Sequence, residues 1–149
     1  AKAITHLGNA MPNQVHRHNN SLMHGLSVDE LAATIIADGH HLPNHIIKTI
    51  LKVKGIDNVA VVSDASSIAG MPPGEYESMG NKIILEKSGL LHNPQKGCMV
   101  GSSFTISECI NYLIQQKIIN QQQAAQVGFY NPLKLIDIDA NELHLKSQI

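Results

Sequence analysis

Three short apolar runs of the sequence each lead into a side chain that can do metal or acid–base chemistry. The run "AIT" ends at His6, "ATIIADGHH" ends at His41, and "NVAVVSDA" contains Asp64. An imidazole is a common ligand of zinc and iron, and a second imidazole can polarise a carbonyl oxygen. A carboxylate beside them can act as a general base. Asp64 could play this role towards a metal-bound water, and the occurrence of the three residues together favours a functional role.

Each of these residues also has a structural alternative. A histidine at a strand end is often a satisfied structural residue, and an aspartate there often caps the next helix. Asp38 could hold a neighbouring imidazole in one tautomer, or it could be a turn residue before Gly39. His40 could simply orient the loop. The functional interpretation therefore depends on three polar strand ends occurring together, and not on any one of them.

Arg17 is the only arginine of the chain and lies between His16 and His18. A planar guanidinium can hold a phosphate through two parallel hydrogen bonds, which lysine cannot do. The alternative is an ordinary solvated surface charge, with the two histidines as loop residues. A bound phosphate is the functional hypothesis for this loop.

The apolar runs predict strands of a parallel sheet. Residues 35–36 and 59–62 are apolar at adjacent positions, which is typical of strands covered on both faces. Helical segments alternate with these runs, as in α/β folds. Functional groups of such sheets gather at the carboxyl ends of the strands. We therefore expect His6, His41 and Asp64 at one edge.

Three helices and a β segment complete the prediction. A helix over residues 43–55 has Pro43 in its first turn and Gly55 at its end. A second begins with the capping box of Thr105 and Glu108. A third starts after residue 120 and ends at residues 131–132, because a proline disfavours helix at the preceding residue. Residues 74–97 predict short strands with glycine turns, a β-hairpin excursion.

Composition excludes several classes of function. The 149 residues suffice for one domain, and a net charge of −1 with 15% charged residues gives no basic surface for nucleic acid. Aromatic residues make up 3%, and tryptophan is absent, which argues against stacking platforms. No apolar run reaches the length of about 18 residues that spans a bilayer, and no signal peptide is evident.

Cys98 and Cys109 have no CxxC spacing and predict buried thiols in a reducing compartment. A soluble, cytoplasmic protein without nucleic-acid or membrane partners is expected.

Four motifs in order resemble a known family. "THLGNAMP", "IIADGHH", "VVSDASSIAGMPPGEY" and "GSSFTISECI" are similar to the C-terminal half of N-acetylglucosamine-6-phosphate deacetylase, over roughly residues 1–135. This family belongs to the amidohydrolase superfamily of metal-dependent (β/α)8 barrels. The resemblance implies an α/β fold that is the C-terminal portion of such a barrel, with a short β-hairpin excursion. Residues 1–149 would form its last three strands and following helices, without a second complete domain.

The resemblance also implies roles for matching residues. His6 would bind a divalent metal, zinc or iron, and Asp64 would be the catalytic acid and base. The implied substrate-binding residues are Asn9, Ala10, Arg17, His41, Met99, Val100 and Gly101, of which Arg17 would hold the sugar phosphate. Asp64 would deprotonate a metal-bound water that attacks the acetyl group of N-acetylglucosamine 6-phosphate. The metal and His41 would stabilise the oxyanion, and glucosamine 6-phosphate and acetate would be released.

The chain departs from the family in several places. The family's other metal ligands, a glutamate and a histidine, precede the matched segment, and zinc usually needs three protein ligands. "HNN" follows Arg17 where the family has Glu-Pro-Gly, and the tail "LIDIDANELHLKSQI" does not continue into the family's final strands. Without an initiator methionine, the sequence is expected to be a piece of a longer protein. We expect it to form a homodimer or to associate with an N-terminal half.

Two alternatives to an active deacetylase stay open. The chain could be a catalytically inactive module for phosphosugar binding or assembly, because the upstream metal ligands are missing. It could also be part of another amidohydrolase that acts on a different amide or a cyclic imide. Arg17 and the Asn9–Ala10 pair favour a phosphorylated sugar over the second alternative.

Overall fold

Three parallel strands form the central sheet. The computed structural model describes residues 1–78 and 80–143. Within them, β1 (Ala3–Ile4), β2 (Ala32–Ile36) and β3 (Val59–Val62) lie side by side in that order. The α/β fold with a parallel sheet, predicted from the adjacent apolar positions, is confirmed.

Helices pack on the sheet and bury most of β2 and β3. Helix α1 (Ser21–Ser27) follows β1, and α2 (Asn44–Lys54) with a short 3₁₀ turn (Ile56–Asn58) connects β2 to β3. Helix α3 (Ile106–Gln115) also packs on the sheet. Burying a large aliphatic side chain contributes about 1.5–3 kcal/mol. The fully buried members of this core include Ile35, Ile47, Ile50, Val59, Val61 and Leu113.

Helix α2 lies within one residue of its predicted bounds at both ends, and α3 begins where the sequence predicts. Pro43 is the N-cap of α2, and Gly55 ends it with a φ of 75°, a conformation that glycine adopts without a steric penalty. Thr105 and Glu108 form both hydrogen bonds of the predicted capping box at the start of α3.

The last helical segment continues past the predicted end at Asn131–Pro132. It consists of α4 (Gln121–Ala125), a π-helical turn (Gln126–Tyr130) and α5 (Asn131–Leu135), followed by a 3₁₀ turn (Ala140–Glu142). The wider π turn precedes the proline, which lies in the first turn of α5 and needs no N–H partner there.

Buried Asn131 holds this helix junction against the sheet. Its side-chain amide donates to the carbonyl oxygens of Ile56 at 2.7 Å and Val59 at 2.6 Å. Its own oxygen accepts a hydrogen bond from Gln126 at 2.7 Å. These tertiary bonds outweigh the local preference of a residue before proline for extended backbone.

The β excursion is larger than the predicted hairpin. It is a four-stranded antiparallel sheet of β4 (Gly74–Ser78), β5 (Asn81–Leu85), β6 (Leu91–Asn93) and β7 (Cys98–Met99). It has a small core of its own, with Ile68, Ile83, Leu85 and Leu91 buried and Tyr76 and Val100 packed against them. The additional strands β6 and β7 are only three and two residues long, too short for a periodic pattern in the sequence.

Helix α1 was not predicted either. Its seven residues start at the N-cap Asn20, whose side chain accepts a hydrogen bond from the backbone N–H of Met23. A Cβ at Gly25 would come within 2.7 Å of the Leu7 side chain, so the helix approaches the loop after β1 closely. A glycine inside a short polar helix weakens the apolar pattern by which helices are recognised.

The two cysteines have different environments. Cys109 is buried, as predicted, and burial raises the pKa of its thiol to about 11. Cys98 is exposed in β7, so the prediction of a buried thiol was wrong at this position. A two-residue strand at the edge of the small sheet leaves this side chain uncovered.

Two further predictions have limited structural outcomes. No helix in the described part of the chain is both long and apolar enough to span a bilayer. The predicted departure of the tail from the family's final strands concerns residues 135–149, and residues 144–149 lie outside the described residues.

Candidate active site

The three predicted groups, His6, His41 and Asp64, lie on the loops that follow the three parallel strands. His6, Asp38 and Asp64 each lie two residues beyond the last residue of β1, β2 and β3, respectively. His41 follows on the same loop as Asp38. Because the strands are parallel, all of these residues lie at the carboxyl edge of the sheet.

Most of the predicted site residues line one cavity of about 570 Å³. Its lining includes His6, Asn9, Ala10, His41, Asp64, Met99 and Gly101, which were all named from the sequence. The lining also includes the neighbouring residues Gly8, Met11, Pro12, Asn13, Ile36, Gly97 and Cys98. The loop after β1 and the β6–β7 region of the excursion therefore both contribute to the lining of the cavity at the strand ends.

The backbone is left-handed at three non-glycine residues of this cavity. The φ angles are 32° at His6, 53° at Ala10 and 50° at Asp64. Such conformations cost about 1–3 kcal/mol at non-glycine residues and persist only where the surroundings impose them. They occur most often at functional sites, which supports a role for this cavity.

His6 has a buried ring nitrogen without a partner. Its backbone N–H donates to Thr34 Oγ1 at 2.7 Å, and Asn9 donates to its carbonyl oxygen through both the backbone N–H and the side-chain amide. Its Nδ1, however, is buried and has no hydrogen-bond partner among the described residues. Leaving such an atom unpaired costs about 1–3 kcal/mol, so the atom fits a role as a metal ligand.

The described residues do not complete a metal site. Within residues 1–78 and 80–143, no group of three or more His, Cys, Asp or Glu side chains could hold a metal ion together. Zinc in catalytic sites is usually held by three protein groups. His6 therefore fits as one ligand, and the described part of the chain provides no complete ligand set.

Asp38 holds His41. His41 Nδ1 lies 2.7 Å from Asp38 Oδ2, and both side chains are buried. Burial by itself would raise the pKa of Asp38, but the bonds donated by the side chain and backbone of His41, the backbone of His40 and the hydroxyl of Ser102 lower that pKa well below its usual range. Asp38 is therefore an ionised acceptor, and His41 has only Nε2 available to the cavity.

Asp64 is exposed to solvent and is part of the cavity lining. Its carbonyl oxygen accepts a hydrogen bond from the backbone N–H of Ser102 at 2.8 Å, and Ser66 donates to the carbonyl oxygen of Ser102 at 2.9 Å. A Cβ at Gly101 would lie 2.8 Å from the Asp64 oxygen, so the two chain segments are in close contact. The loop before α3 thus fixes the backbone that carries Asp64.

Two predicted residues lie away from the cavity lining. Val100 packs against the core of the β excursion, and its backbone N–H donates to the Leu91 carbonyl. Arg17 is exposed on the loop between β1 and α1. His40, next to His41, turns to the excursion, where its Nε2 lies 3.1 Å from the Ser88 carbonyl and its ring packs edge-on against Phe104. The roles assigned to Val100 and Arg17, like those assigned to the site residues that do line the cavity, stay predictions.

Ser102 was missed by the sequence analysis. It is 1% exposed and bonded to both Asp38 and Asp64. A serine in a loop carries no local signal, because the residues that it connects are distant in sequence. Only the tertiary arrangement identifies it.

Comparisons with known proteins agree with the resemblance. No family model matches the chain. The chain is 28% identical to the N-acetylglucosamine-6-phosphate deacetylase of Lysinibacillus sphaericus over 127 residues, covering 85% of this chain and 32% of that protein. It is 22% identical to the N-acetylgalactosamine-6-phosphate deacetylase of Escherichia coli O157:H7 over 139 residues, with coverage of 93% and 36%.

A solved structure gives the same result. The crystal structure of N-acetylglucosamine-6-phosphate deacetylase from Pasteurella multocida matches with a TM-score of 0.82 and 28% identity, over 93% of this chain and 36% of that one. The chain thus spans about a third of the length of these relatives. The resemblance inferred from the four sequence motifs is confirmed: over most of its own length, this chain is similar to N-acetylglucosamine-6-phosphate deacetylases.

Proposed function

We propose that this chain provides part of the active site of a hydrolase that removes the acetyl group from N-acetylglucosamine 6-phosphate. The products are glucosamine 6-phosphate and acetate, in amino-sugar catabolism. The observation that carries the proposal is that His6, His41 and Asp64, from three separate strand ends, line one cavity. The relatives named as deacetylases support the same reaction class.

Asp64 is proposed as the acid and base of the reaction. It takes a proton from the attacking water, which adds to the acetyl carbonyl, and it then delivers a proton to the amide nitrogen. The C–N bond breaks, and acetate and a free amine leave. Its exposed position at the cavity suits a group that must meet both water and substrate.

His6 and His41 are proposed to act on the carbonyl side. A divalent metal, zinc or iron, bound in part by His6 Nδ1 would supply Lewis acidity at the acetyl carbonyl. His41 contacts the N-acetyl group through Nε2, since Nδ1 is bonded to Asp38. Asn9 supports His6 through two hydrogen bonds, and Met99 and Gly101 line the sugar side.

The rest of the site is proposed to come from further strands. Among the described residues, β1 and β3 each pair with β2 as their only partner strand, so both outer edges of the sheet are open to parallel strands. A (β/α)8 barrel would use both edges and bring further metal ligands to the same rim. We propose association with an N-terminal half, or a homodimer, as the assembly that completes it.

The test is acetate release from N-acetylglucosamine 6-phosphate with added Zn²⁺ or Fe²⁺. The chain is assayed alone and together with the part of the Pasteurella multocida deacetylase that it does not match, and N-acetylgalactosamine 6-phosphate is the epimer control. Asp64→Asn should lower kcat by about 10²–10⁴-fold. Asp57→Asn is the matched control, because Asp57 lies near the opposite end of β3. The proposal fails if the assembled protein releases no acetate, or if both variants retain full activity.

A second candidate function is an inactive module for phosphosugar binding or assembly. The absence of a three-ligand metal group within the described residues favours it. Metal analysis after purification separates the candidates. Stoichiometric, tightly held metal in the chain alone contradicts the inactive module, and its absence from both the chain and the assembly supports it.

A further inference from the structure

The two oxygens of Asp38 have different partners. Oδ1 accepts hydrogen bonds from the backbone N–H groups of His40 and His41, each at 2.9 Å. Oδ2 is 2.7 Å from His41 Nδ1 and accepts a bond from the Ser102 hydroxyl at 2.8 Å. Asp38 itself is 4% exposed, so protein groups account for its hydrogen bonding.

This arrangement determines the proton positions on His41. An ionised carboxylate only accepts hydrogen bonds, so Nδ1 must carry a proton. The other nitrogen, Nε2, is left for the cavity, which His41 lines. A carboxylate in this position holds an imidazole in one tautomer and one orientation, as is known for other catalytic histidines.

Ser102 connects this pair to the other catalytic strand end. Its hydroxyl donates to Asp38 and accepts a bond from the backbone N–H of Phe104 at 3.1 Å. Its backbone N–H donates to the Asp64 carbonyl oxygen at 2.8 Å. The buried Ser102 thus bonds to the loop after β2 and to the loop after β3 at once.

We propose that Asp38 and Ser102 are positioning residues that keep His41 protonated at Nδ1 and present its Nε2 to the cavity beside Asp64. The catalytic meaning of this inference rests on the proposed deacetylase function. The hydrogen-bond arrangement does not, so it can be tested in a chain without activity.

Asp38→Asn provides a sharp test, because the amide can fit in only one way. The two backbone N–H groups require the amide oxygen at the Oδ1 position, which places the amide NH₂ at the Oδ2 position. His41 Nδ1 then faces a donor and must become an acceptor. The variant should therefore move the proton of neutral His41 from Nδ1 to Nε2.

Two-bond ¹H–¹⁵N correlation spectra of the histidine rings report this tautomer directly. The His41 signals are assigned by their loss in His41→Gln. In the parent chain, we expect a protonated-type shift at Nδ1, whether or not Nε2 also carries a proton, and in Asp38→Asn a protonated-type shift at Nε2 alone. A parent His41 protonated only at Nε2 would overturn the inference even if Asp38→Asn does not fold. An unchanged Nδ1–H tautomer in a folded Asp38→Asn chain would overturn it as well.

Ser102→Ala and Ser103→Ala separate the role of Ser102 from a general effect of losing a hydroxyl. Ser103 donates to the Gly89 carbonyl and makes no hydrogen bond to Asp38. Ser102→Ala should keep the Nδ1–H tautomer but speed exchange of that proton with water relative to the parent chain, since Asp38 loses a hydrogen-bond partner that restrains it. Ser103→Ala should leave the rate unchanged, and equal rates in both variants would remove Ser102 from the proposal.

Kinetics of an active assembly complete the test. Asp38→Asn should lower kcat by about 10–100-fold with KM changed by less than about threefold, because positioning affects the reaction more than binding. If the assembly is inactive but His41 carries its proton at Nδ1 as expected, only the deacetylase function is refuted. If Asp38→Asn keeps full kcat although the His41 proton has moved to Nε2, only the positioning role is refuted.

Discussion

Arg17 lies on the exposed loop between β1 and α1, and among the described residues no carboxylate pairs with its guanidinium. The preceding part of the same loop, Met11 to Asn13, lines the cavity. An exposed guanidinium on this loop is available to a phosphate group, and the alternative is a solvated surface charge. The two alternatives predict different kinetics.

Arg17→Lys is expected to raise KM for N-acetylglucosamine 6-phosphate by about tenfold, because lysine cannot form the two parallel bonds of a guanidinium. The unphosphorylated sugar serves as the matched control substrate. Its KM should change by less than about twofold in steady-state assays of the active assembly. Equal changes for both substrates would show that Arg17 does not bind the phosphate.

Asp38 should make the stability of the fold depend on pH. Its pKa in the folded chain is lowered below the unfolded value of about 3.9, so the unfolded chain takes up a proton first as the pH falls. The stabilisation is therefore complete above about pH 5 and is lost progressively as the pH falls below about 4. Asp38→Asn cannot titrate, and its unfolding free energy should fall less steeply over this range in urea titrations.

Glu108→Gln is the control for that measurement. The pKa of Glu108 is lowered by hydrogen bonds from the backbone and side chain of Thr105, but this carboxylate is exposed. Solvent screening limits the contribution of Glu108 to stability. The slope of the unfolding free energy against pH should therefore change less in Glu108→Gln than in Asp38→Asn. Parallel pH curves for the parent chain and Asp38→Asn would contradict the assignment.

At the scale of elements, the loop that leads from β7 to α3 holds the end of β3. Gly101 has a φ of 67° and approaches the Asp64 carbonyl, whereas Gly97 has a φ of 62° with open space where a Cβ would be. Alanine at either position is destabilised by the left-handed backbone. Only at position 101 would the added Cβ also clash with another chain segment.

Gly101→Ala is therefore expected to be less stable than Gly97→Ala by about 1–3 kcal/mol, the typical cost of forcing atoms into a filled space. Urea unfolding midpoints of the two variants measure the difference. Circular dichroism before unfolding checks that both are folded. Equal midpoints would show that the backbone at Asp64 moves away from the added Cβ without any loss of stability.

Elements with strong local signals were predictable from the sequence. The adjacent apolar residues of β2 and β3, Gly55 after α2, and the Thr105 capping box act over a few residues, and all proved correct. The strand-end position of Asp64 followed from β3, and that of His6 followed from the apolar run that forms β1.

Features set by distant contacts were not predictable. The helix passes through Pro132 because Asn131 is bonded to carbonyls near β3, and these partners are more than seventy residues away in sequence. Cys98 is exposed because β7 is a short edge strand, and Ser102 acts through residues of two other loops. Local propensity contains no information about such bonds.

The whole molecule has two cores of unequal size. One lies between the parallel sheet and its helices, and the other lies within the β4–β7 sheet. In the described residues, the first sheet has a two-residue strand, β1, at one edge. An unpaired edge of this kind is able to accept a further strand.

Hydrogen exchange can test whether further strands pair there. On addition of the unmatched part of the Pasteurella multocida deacetylase, amides of β1 and β3 should exchange at least about tenfold more slowly, because new pairing and burial protect them. The β4–β5 amides serve as an internal control and should be unaffected. Unchanged exchange in β1 and β3, with sedimentation showing a dimer of the chain, would favour the homodimer instead.

The left-handed backbone at positions 6, 10 and 64 also limits how this cavity can change by mutation. Branched side chains such as valine or isoleucine are strongly disfavoured there, while glycine and asparagine are tolerated. A library of variants selected only for folding should therefore be enriched in glycine and asparagine at these positions. New chemistry in this cavity would have to arise at wall residues outside the left-handed region, such as Met11, Asn13 and Met99, where the backbone accepts a wider choice of side chains.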